Sequence, residues 1–261
     1  MPWFRHNGVG LHWREDGDPS GPPVLLLNSL GTDLRLWDGV LPNLSGHRVI
    51  RMDTRGHGLS DAPGGPYDLV ALTTDALGLV RHLGVARLSV IGVSLGGMMA
   101  QFMAATAPDL VDRVVLSNTA PRMGTQQLWA DRTRAVNADG LDSIADAILE
   151  RWFAPAFRTD DTIGLWRNML TRTPDLGYMG CCAALADADL GDIVPQIACP
   201  ALVIAGAEDG ASPPDLVRPL AAAIPDARYH EMAGVGHLPM IEAPDSFAAL
   251  VRDFLKEPAH A

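Results

Sequence analysis

The sequence is poor in cysteine, and what it has does not form a recognisable framework. There are only three, Cys181, Cys182 and Cys199, and an odd number with one adjacent pair is not a disulfide pattern. No spacing of cysteine and histidine resembles a zinc site. We therefore expect no bound metal and a reducing compartment, the cytoplasm.

Long apolar runs and basic clusters are also missing. No apolar stretch approaches the roughly 18 residues that a membrane-spanning helix needs. The first six residues lack the charged-then-apolar order of a signal peptide. The formal net charge is −11 without any basic run, which makes nucleic acids and anionic membrane surfaces unfavourable partners.

Apolar residues are plentiful, and their periodicity alternates along the chain. The 261 residues are 48% hydrophobic, enough for one large core. Apolar runs predict strands at residues 9–14, 24–28, 48–53, 87–93 and 113–118. Helical periodicity separates them at residues 68–83 and 95–107. Such alternation predicts an α/β fold with a mostly parallel sheet that helices cover on both faces.

The alternation stops in residues 122–194, which contain four helix-like segments and no convincing strand. It resumes afterwards with strands at 201–206 and 227–232 and helices at 213–223 and 244–256. We predict one core domain formed by residues 1–121 and 195–261. An all-helical cap, residues 122–194, is inserted into it.

The most informative motif is Gly92-Val93-Ser94-Leu95-Gly96, which reads Gly-x-Ser-x-Gly. It lies between a predicted strand and a predicted helix, the context of a nucleophile elbow. Small residues at both ends let the backbone pass close to its neighbours. The serine then lies at a helix N-terminus, which favours negative charge. We predict that Ser94 is a catalytic nucleophile.

A serine hydroxyl is a weak nucleophile near neutral pH, so it needs a base. In chains with this elbow the order is Ser, then Asp or Glu, then His. Three histidines follow Ser94. His230 falls inside a strand pattern and His260 is the penultimate residue, whereas His237 lies in a glycine-rich loop after the last strand. Because catalytic groups concentrate on such loops, we predict His237 as the base.

The acid that orients the base should follow the preceding strand, residues 201–206. Glu208 and Asp209 both lie there. Asp209 is further into the loop and is the predicted acid, with Glu208 as the alternative. Asp187 and Asp189 fall in the predicted cap and are weaker candidates.

An oxyanion hole requires two backbone N–H groups that converge on one oxygen. Leu95 supplies the first, since it directly follows the nucleophile. The second is expected in the loop after strand 24–28, and we assign it to Leu30. Its apolar side chain is no objection because only the backbone donates.

The segment from Asp53 to Ser60 is polar and contains His57. Its glycines favour a turn, and we expect Asp53, Arg55 and Ser60 to hold that turn by pairing. A structural role for His57 is therefore favoured over a catalytic one.

Together these motifs resemble the α/β-hydrolase family over the whole chain. Two segments, Asn28–Asp38 and Gly177–Leu190, more specifically resemble the 3-oxoadipate enol-lactonases, ring-opening hydrolases of the β-ketoadipate pathway. Many related hydrolases have His-Gly where this chain has Asn28-Ser29, and that departure fits the lactonases. The resemblance implies that water opens 3-oxoadipate enol-lactone to 3-oxoadipate through an acyl-enzyme, without a cofactor.

Alternatives stay open. A cofactor-free perhydrolase or small-ester carboxylesterase could use the same scaffold. A non-catalytic ligand receptor is a third interpretation, against which the predicted triad weighs. Dehalogenases and alkyl-enzyme epoxide hydrolases are disfavoured because the elbow holds Ser94 rather than an aspartate. Whether the chain forms a homo-oligomer is left open.

The implied substrate carries a carboxylate although the chain is strongly acidic, so a local cation must hold it. In a helix, Arg132 would share one face with Trp129 and Val136. Arg134 would point nearly the opposite way, toward Asp131. We predict Arg132 as the substrate-binding cation with Trp129 as an apolar wall, and Arg134 as the second choice.

Overall fold

In the computed structural model, which describes residues 1–257, the apolar strands form one eight-stranded sheet. The strands are β1 Trp3–His6, β2 Val9–Gly17, β3 Pro23–Leu27, β4 Arg48–Met52, β5 Leu88–Val93, β6 Val111–Ser117, β7 Ala201–Gly206 and β8 Ala227–Met232. Their order across the sheet is β1-β2-β4-β3-β5-β6-β7-β8. The pairs β1–β2 and β2–β4 are antiparallel, and all other neighbours are parallel.

The α-helices are α1 Leu69–His82, α2 Leu95–Thr106, α3 Gln126–Asp139, α4 Ala145–Trp152, α5 Ile163–Thr171, α6 Asp175–Asp187, α7 Pro214–Ala223, α8 Pro239–Glu242 and α9 Pro244–Leu255. Helices α1, α2 and α7 pack directly against strands of the sheet. Short 3₁₀ helices cover Leu34–Leu44, Leu141–Ile144, Phe157–Thr159 and Val194–Gln196. Within the described part of the chain, no helix has the length and apolar character needed to cross a membrane.

The core lies on both faces of the central strands. Every residue of β7 is buried, as are all of β3 except its first residue. Helix α2 packs against β5 and β6 and is buried along most of its length. A strand buried on both faces has no polar side to alternate, which explains the continuous apolar runs in the sequence. The predicted α/β class with a mostly parallel, helix-flanked sheet is confirmed.

The structure adds one strand that the sequence did not predict. Strand β1 pairs with β2 at the sheet edge, with Phe4 opposite Leu11. Phe4 is buried while Trp3 and Arg5 are exposed, so only one side chain of this strand contributes to the core. Four residues with one buried side chain carry too weak an alternation to be recognised from sequence.

Between β6 and β7 the described chain contains helices α3 to α6 and no strand. Helix α6 packs through glycines against the loop between β4 and α1. A Cβ atom on Gly177 would lie 2.2 Å from the carbonyl oxygen of Gly56, and one on Gly180 would lie 2.6 Å from the ring of Tyr67. The Tyr67 amide donates to the Gly180 carbonyl at 3.2 Å. The division into a core domain and a separate cap, residues 122–194, stays a prediction.

Candidate active site

Ser94 connects β5 to α2 in a left-handed backbone conformation, with φ 56° and ψ −118°. Non-glycine residues rarely adopt positive φ, and such strain concentrates at functional sites. The flanking residues must be glycines because the neighbouring backbone leaves no room for a side chain. A Cβ atom on Gly92 would lie 2.2 Å from the Gly96 oxygen, and one on Gly96 would lie 2.2 Å from the Leu27 oxygen. The motif therefore folds as the sharp turn that the sequence predicts.

His237 and Asp209 meet beside this turn. Asp209 lies in the loop after β7 and His237 in the loop after β8. His237 Nδ1 donates to Asp209 Oδ2 at 2.8 Å, and both side chains are almost fully buried. His237 and Ser94 line the same cavity. A proton held on Nδ1 leaves Nε2 of a neutral imidazole as an acceptor, the form that a general base needs.

The carboxylate of Asp209 is surrounded by donors. Oδ1 accepts from the amides of Ala211 at 2.6 Å and Ser212 at 2.9 Å. Oδ2 accepts from Asn118 Nδ2 at 2.8 Å and from the Ser212 hydroxyl at 2.6 Å. Burial alone would raise the pKa of Asp209, but the charge and hydrogen bond of His237 and the Ser212 bonds lower it below 3.8. The group is therefore ionised at neutral pH.

The alternative residues lie elsewhere. Glu208 is exposed beside Asp209, and its amide donates to the Val235 carbonyl. His230 is exposed on β8. Asp187 is exposed at the end of α6, and Asp189 forms a surface ion pair with Arg122. His260 lies outside the described residues.

The amide of Leu95, assigned to the oxyanion hole, begins α2. The next amide, that of Gly96, is already occupied because it donates to the Asn28 carbonyl at 2.9 Å. Among the hydrogen bonds of residues 1–257, the Leu95 amide has no acceptor. It is thus available to a substrate oxygen next to Ser94.

His57 forms a hydrogen bond to the loop that carries Leu30. The Gly31 amide donates to His57 Nε2 at 2.9 Å, while Nδ1 faces the Arg55 carbonyl at 3.2 Å. Burial lowers the pKa of His57, which keeps the ring neutral and Nε2 able to accept. The Leu30 amide, in contrast, has no acceptor within residues 1–257, and Leu30 lines the cavity.

The polar segment around His57 is structural, with one correction. Asp53 accepts from the amides of Leu34 and Leu59, and the Ser60 hydroxyl donates to the Asp53 carbonyl. Arg55, expected to pair inside the segment, instead forms an ion pair with Asp75 of α1. A sequence offers no signal for a partner on a distant helix.

Asn28, the residue that departs from the common His-Gly pair, is fully buried at the end of β3. Its Nδ2 donates to the Met52 carbonyl at 2.7 Å, and its Oδ1 accepts from the indole of Trp37 at 2.8 Å. It therefore joins the ends of β3 and β4 and anchors the loop above them.

The cavity at Ser94 is closed by the helices between β6 and β7. Loop residues Ser29 and Leu30 line it together with Ser94 and His237. The apolar wall comes from the helical segment and consists of Met123, Leu128, Trp129, Ile148, Trp152 and Leu185. A small, largely apolar molecule could be enclosed there with its reactive carbon near Ser94.

The two arginines of α3 have different surroundings, as their helical spacing predicts. Arg132 lines the cavity, lies 4.9 Å from the centre of the Trp129 ring and donates to the Tyr178 hydroxyl at 3.4 Å. Arg134 does not line it: its guanidinium is exposed and pairs with Asp131 at 2.6 Å. Of the two predicted cations, the structure brings only Arg132 to Ser94 and His237.

A second cation, Arg151 at the end of α4, was missed by sequence reasoning. It lines the cavity, and its Nε donates to the Gly210 carbonyl at 3.0 Å. Burial and the nearby charge of Arg132 lower the pKa of Arg151. Within residues 1–257, neither arginine forms an ion pair. Two guanidinium groups that form no ion pair among these residues make the cavity attractive to an anion.

The sequence profile of the α/β hydrolase fold matches residues 22–244, and the chain belongs to this family. The chain is similar to 3-oxoadipate enol-lactonase 2 of Acinetobacter baylyi, with 37% identity covering 77% of this chain and 76% of the relative. Similarity to 3-oxoadipate enol-lactonase 1 of the same organism is 30%, over 95% of this chain and 94% of that protein.

Among solved structures, the chain resembles the enol-lactonase from Burkholderia xenovorans, with a TM-score of 0.96 and 41% identity. The alignment covers 98% of this chain and all of that one. These similarities confirm the expected resemblance to the enol-lactonases and the expected class, a carboxylic ester hydrolase with the α/β-hydrolase fold.

Proposed function

We propose that the chain hydrolyses 3-oxoadipate enol-lactone to 3-oxoadipate through an acyl-enzyme on Ser94. One observation carries the proposal: Ser94, the His237–Asp209 pair and two arginines that form no ion pair within residues 1–257 meet at a single cavity. A neutral ester would have no use for two such cations, whereas an anionic lactone needs one. The similarity to the enol-lactonases supports the same substrate.

In the proposed acylation step, Ser94 Oγ attacks the lactone carbonyl while His237 Nε2 takes the hydroxyl proton. The Leu30 and Leu95 amides stabilise the oxyanion of the tetrahedral intermediate. Its collapse breaks the ring C–O bond and releases an enolate. The proton on His237 returns to this leaving group, which becomes a ketone. Ring opening therefore leaves a 3-oxoadipyl ester on Ser94.

In the deacylation step, His237 removes a proton from water, and the hydroxide attacks the ester carbonyl. The same two amides hold the oxyanion, and the proton passes from His237 to Ser94 Oγ as the C–O bond breaks. Asp209 remains ionised throughout and stabilises the imidazolium. The products are 3-oxoadipate and the free enzyme.

We assign the carboxylate of the lactone to Arg132, with Arg151 supplying the second positive charge. The stacking of Arg132 on Trp129 and its bond to Tyr178 restrict the guanidinium before substrate arrives. The partner that we propose is thus a small anionic lactone and not a nucleic acid or a membrane. A cytoplasmic location belongs to the same proposal, supported by three free cysteines among the described residues.

The test follows the loss of enol-lactone ultraviolet absorbance and, on the same sample, the hydrolysis of a 4-nitrophenyl ester. Wild-type protein should turn over the lactone with the higher kcat/KM. Ser94→Ala should lower kcat by roughly 10⁴-fold or more while the fold is retained by circular dichroism.

Near-wild-type turnover by Ser94→Ala would overturn the mechanism. Hydrolysis of the nitrophenyl ester without lactone opening would favour a small-ester carboxylesterase. No turnover of either compound, together with no labelling of Ser94 by a fluorophosphonate, would favour a ligand receptor.

A further inference from the structure

A partly buried carboxylate that the mechanism does not use contacts the loop that carries His237. Glu242 is the last residue of α8. Its Oε1 accepts from the Gly236 amide at 2.8 Å, and its Oε2 accepts from the Ala154 amide at 2.9 Å. Each oxygen therefore serves one amide, and the two amides belong to segments far apart in sequence.

These two segments are the loop that carries His237 and the chain just after α4. They are also joined directly, because the His237 amide donates to the Trp152 carbonyl at 2.6 Å. The contact leaves no room for a side chain at Gly236, where a Cβ atom would lie 2.5 Å from the Trp152 oxygen. Three hydrogen bonds thus join the backbone of Gly236 and His237, directly or through Glu242, to residues 152–154 at the end of α4.

We propose that ionised Glu242 is a positioning residue that fastens the His237 loop to the end of α4 and so aims the imidazole at Ser94. The proposal rests on the proposed role of His237 as the base. An ionised carboxylate has only acceptors and satisfies both amides at once. A neutral carboxyl group, or a glutamine amide, can direct one oxygen at one amide but places a donor or a weaker acceptor before the other.

Glu242 gains or loses its proton within the pH range in which activity can be measured. Burial raises its pKa to about 7, against the effect of the Ala154 and Gly236 amides. Two titratable groups face it: the carboxylate of Asp209, which also raises the pKa, and His237, which lowers it when the imidazole is protonated. Above this pH both amides have an acceptor, and below it one of them loses part of its hydrogen bond.

The first test compares kcat/KM of wild type and Glu242→Gln between pH 5.5 and 9. We expect the variant to be about tenfold slower above pH 7.5, the size of effect that follows from one lost charged hydrogen bond. The ratio should approach one at pH 5.5, because wild type then carries a neutral side chain too. A ratio that does not change with pH would reduce Glu242 to a packing residue and overturn the proposal.

Glu150→Gln is the matched control. Glu150 lies in α4, one residue before Arg151, and is exposed. The substitution removes the same charge near the same cavity without releasing a buried amide. We expect an unchanged pH profile, and a profile like that of Glu242→Gln would assign the effect to charge alone and contradict positioning.

The second test does not depend on turnover. Hydrogen exchange of the amides in residues 152–154 and 235–238 is measured at pH 8 in the Ser94→Ala background, with and without Glu242→Gln. Exchange should be several-fold faster in the double variant and unchanged when Glu150→Gln is added instead. Equal protection in all three would overturn the proposal.

The two tests separate this inference from the proposed function. Faster exchange in the double variant, together with a wild-type protein that opens neither the lactone nor the ester, would contradict the proposed function while the backbone contacts of Glu242 stand. If Glu242→Gln does not fold, Glu242→Asp is measured in the same background, since it keeps the charge but is one methylene too short to reach both amides. Exchange of these amides should again be several-fold faster, and unchanged protection would contradict the proposal.

Discussion

At the residue scale, two acidic residues that are adjacent in sequence have very different surroundings. Asp209 is buried among five donor groups, whereas adjacent Glu208 is exposed. The difference arises from the loop after β7, which turns one carboxylate toward His237 and the other toward solvent. A buried carboxylate with many donors stays ionised and keeps the imidazole in one tautomer.

Substitution at these two positions tests that assignment. Asp209→Asn should lower kcat by about 10⁴-fold, because an amide no longer stabilises the imidazolium and can favour the wrong tautomer. Glu208→Gln should leave kcat within about twofold of wild type, as expected for an exposed group. Steady-state kinetics on the lactone measures both, and the reverse order of effects would move the acid to Glu208.

The two arginines of α3 offer a matched pair. Arg132→Ala should raise KM for the lactone by about 10- to 100-fold, the loss of a charge-assisted hydrogen bond to the carboxylate. It should change KM for a neutral nitrophenyl ester far less. Arg134→Ala, which removes an equally charged but exposed side chain, should affect neither substrate. Equal effects of Arg132→Ala on both substrates would argue against anion binding.

At the element scale, the placement of the cavity wall depends on how closely α6 approaches the loop between β4 and α1. Gly177 faces Gly56 backbone to backbone, and Gly180 faces the Tyr67 ring. Tyr178, between them, is buried and accepts from Arg132. A displacement of α6 would therefore reach Arg132, the proposed substrate-binding cation, through Tyr178.

Gly177→Ala should destabilise the fold by about 1–3 kcal/mol, because the rigid backbone of Gly56 cannot move away from the added methyl group. The lactone KM should rise with it. Gly164→Ala in α5 is the control, since a Cβ atom there would meet nothing within 4 Å. It should stabilise by up to about 1 kcal/mol through helix propensity. Urea unfolding measures both, and similar values for the two variants would show that the contact is soft.

At the scale of the whole molecule, the negative net charge repels the proposed anionic substrate. The net charge is −11, yet the cavity is lined by Arg132 and Arg151, which have no ion-pair partner in residues 1–257. Long-range attraction thus works against an anion, and short-range hydrogen bonds must overcome it. The cost of enclosing charge also appears at Glu242, whose desolvation outweighs its two amide bonds.

This cost makes stability depend on pH. Below pH 4.5, the ordinary pKa of a glutamate, folded and unfolded chains both hold the Glu242 proton. As pH rises from 4.5 toward about 7, the unfolded chain releases this proton before the folded chain does. Release stabilises the unfolded chain, so the free energy of unfolding falls over this range. Wild type should therefore lose stability relative to Glu242→Gln between pH 4.5 and 7.5.

Urea unfolding of both proteins at several pH values measures this difference. Ionisations common to both chains cancel when the two free energies are subtracted. A difference that stays constant, or that favours wild type as pH rises, would contradict a raised pKa at Glu242.

The sequence by itself determined the strand and helix alternation, the elbow at Ser94 and the order in which His237 and an acid follow it. These features depend on consecutive residues, because periodicity, turn chemistry and chain order are local properties. Tertiary structure decided which groups meet. Asp209 reaches a histidine 28 residues away, and Arg151 reaches Gly210 across 59 residues.

The same distinction explains what was missed. Arg151 and Glu242 have no local pattern that marks them, since their surroundings come from loops on other elements. Arg132 and Arg134 could be separated from sequence because residues two positions apart in an α-helix, with about 3.6 residues per turn, lie on nearly opposite faces. Contacts between segments depend on how the sheet and helices pack, and only the assembled fold brings the two arginines of the cavity, the imidazole and its neighbouring carboxylates around Ser94.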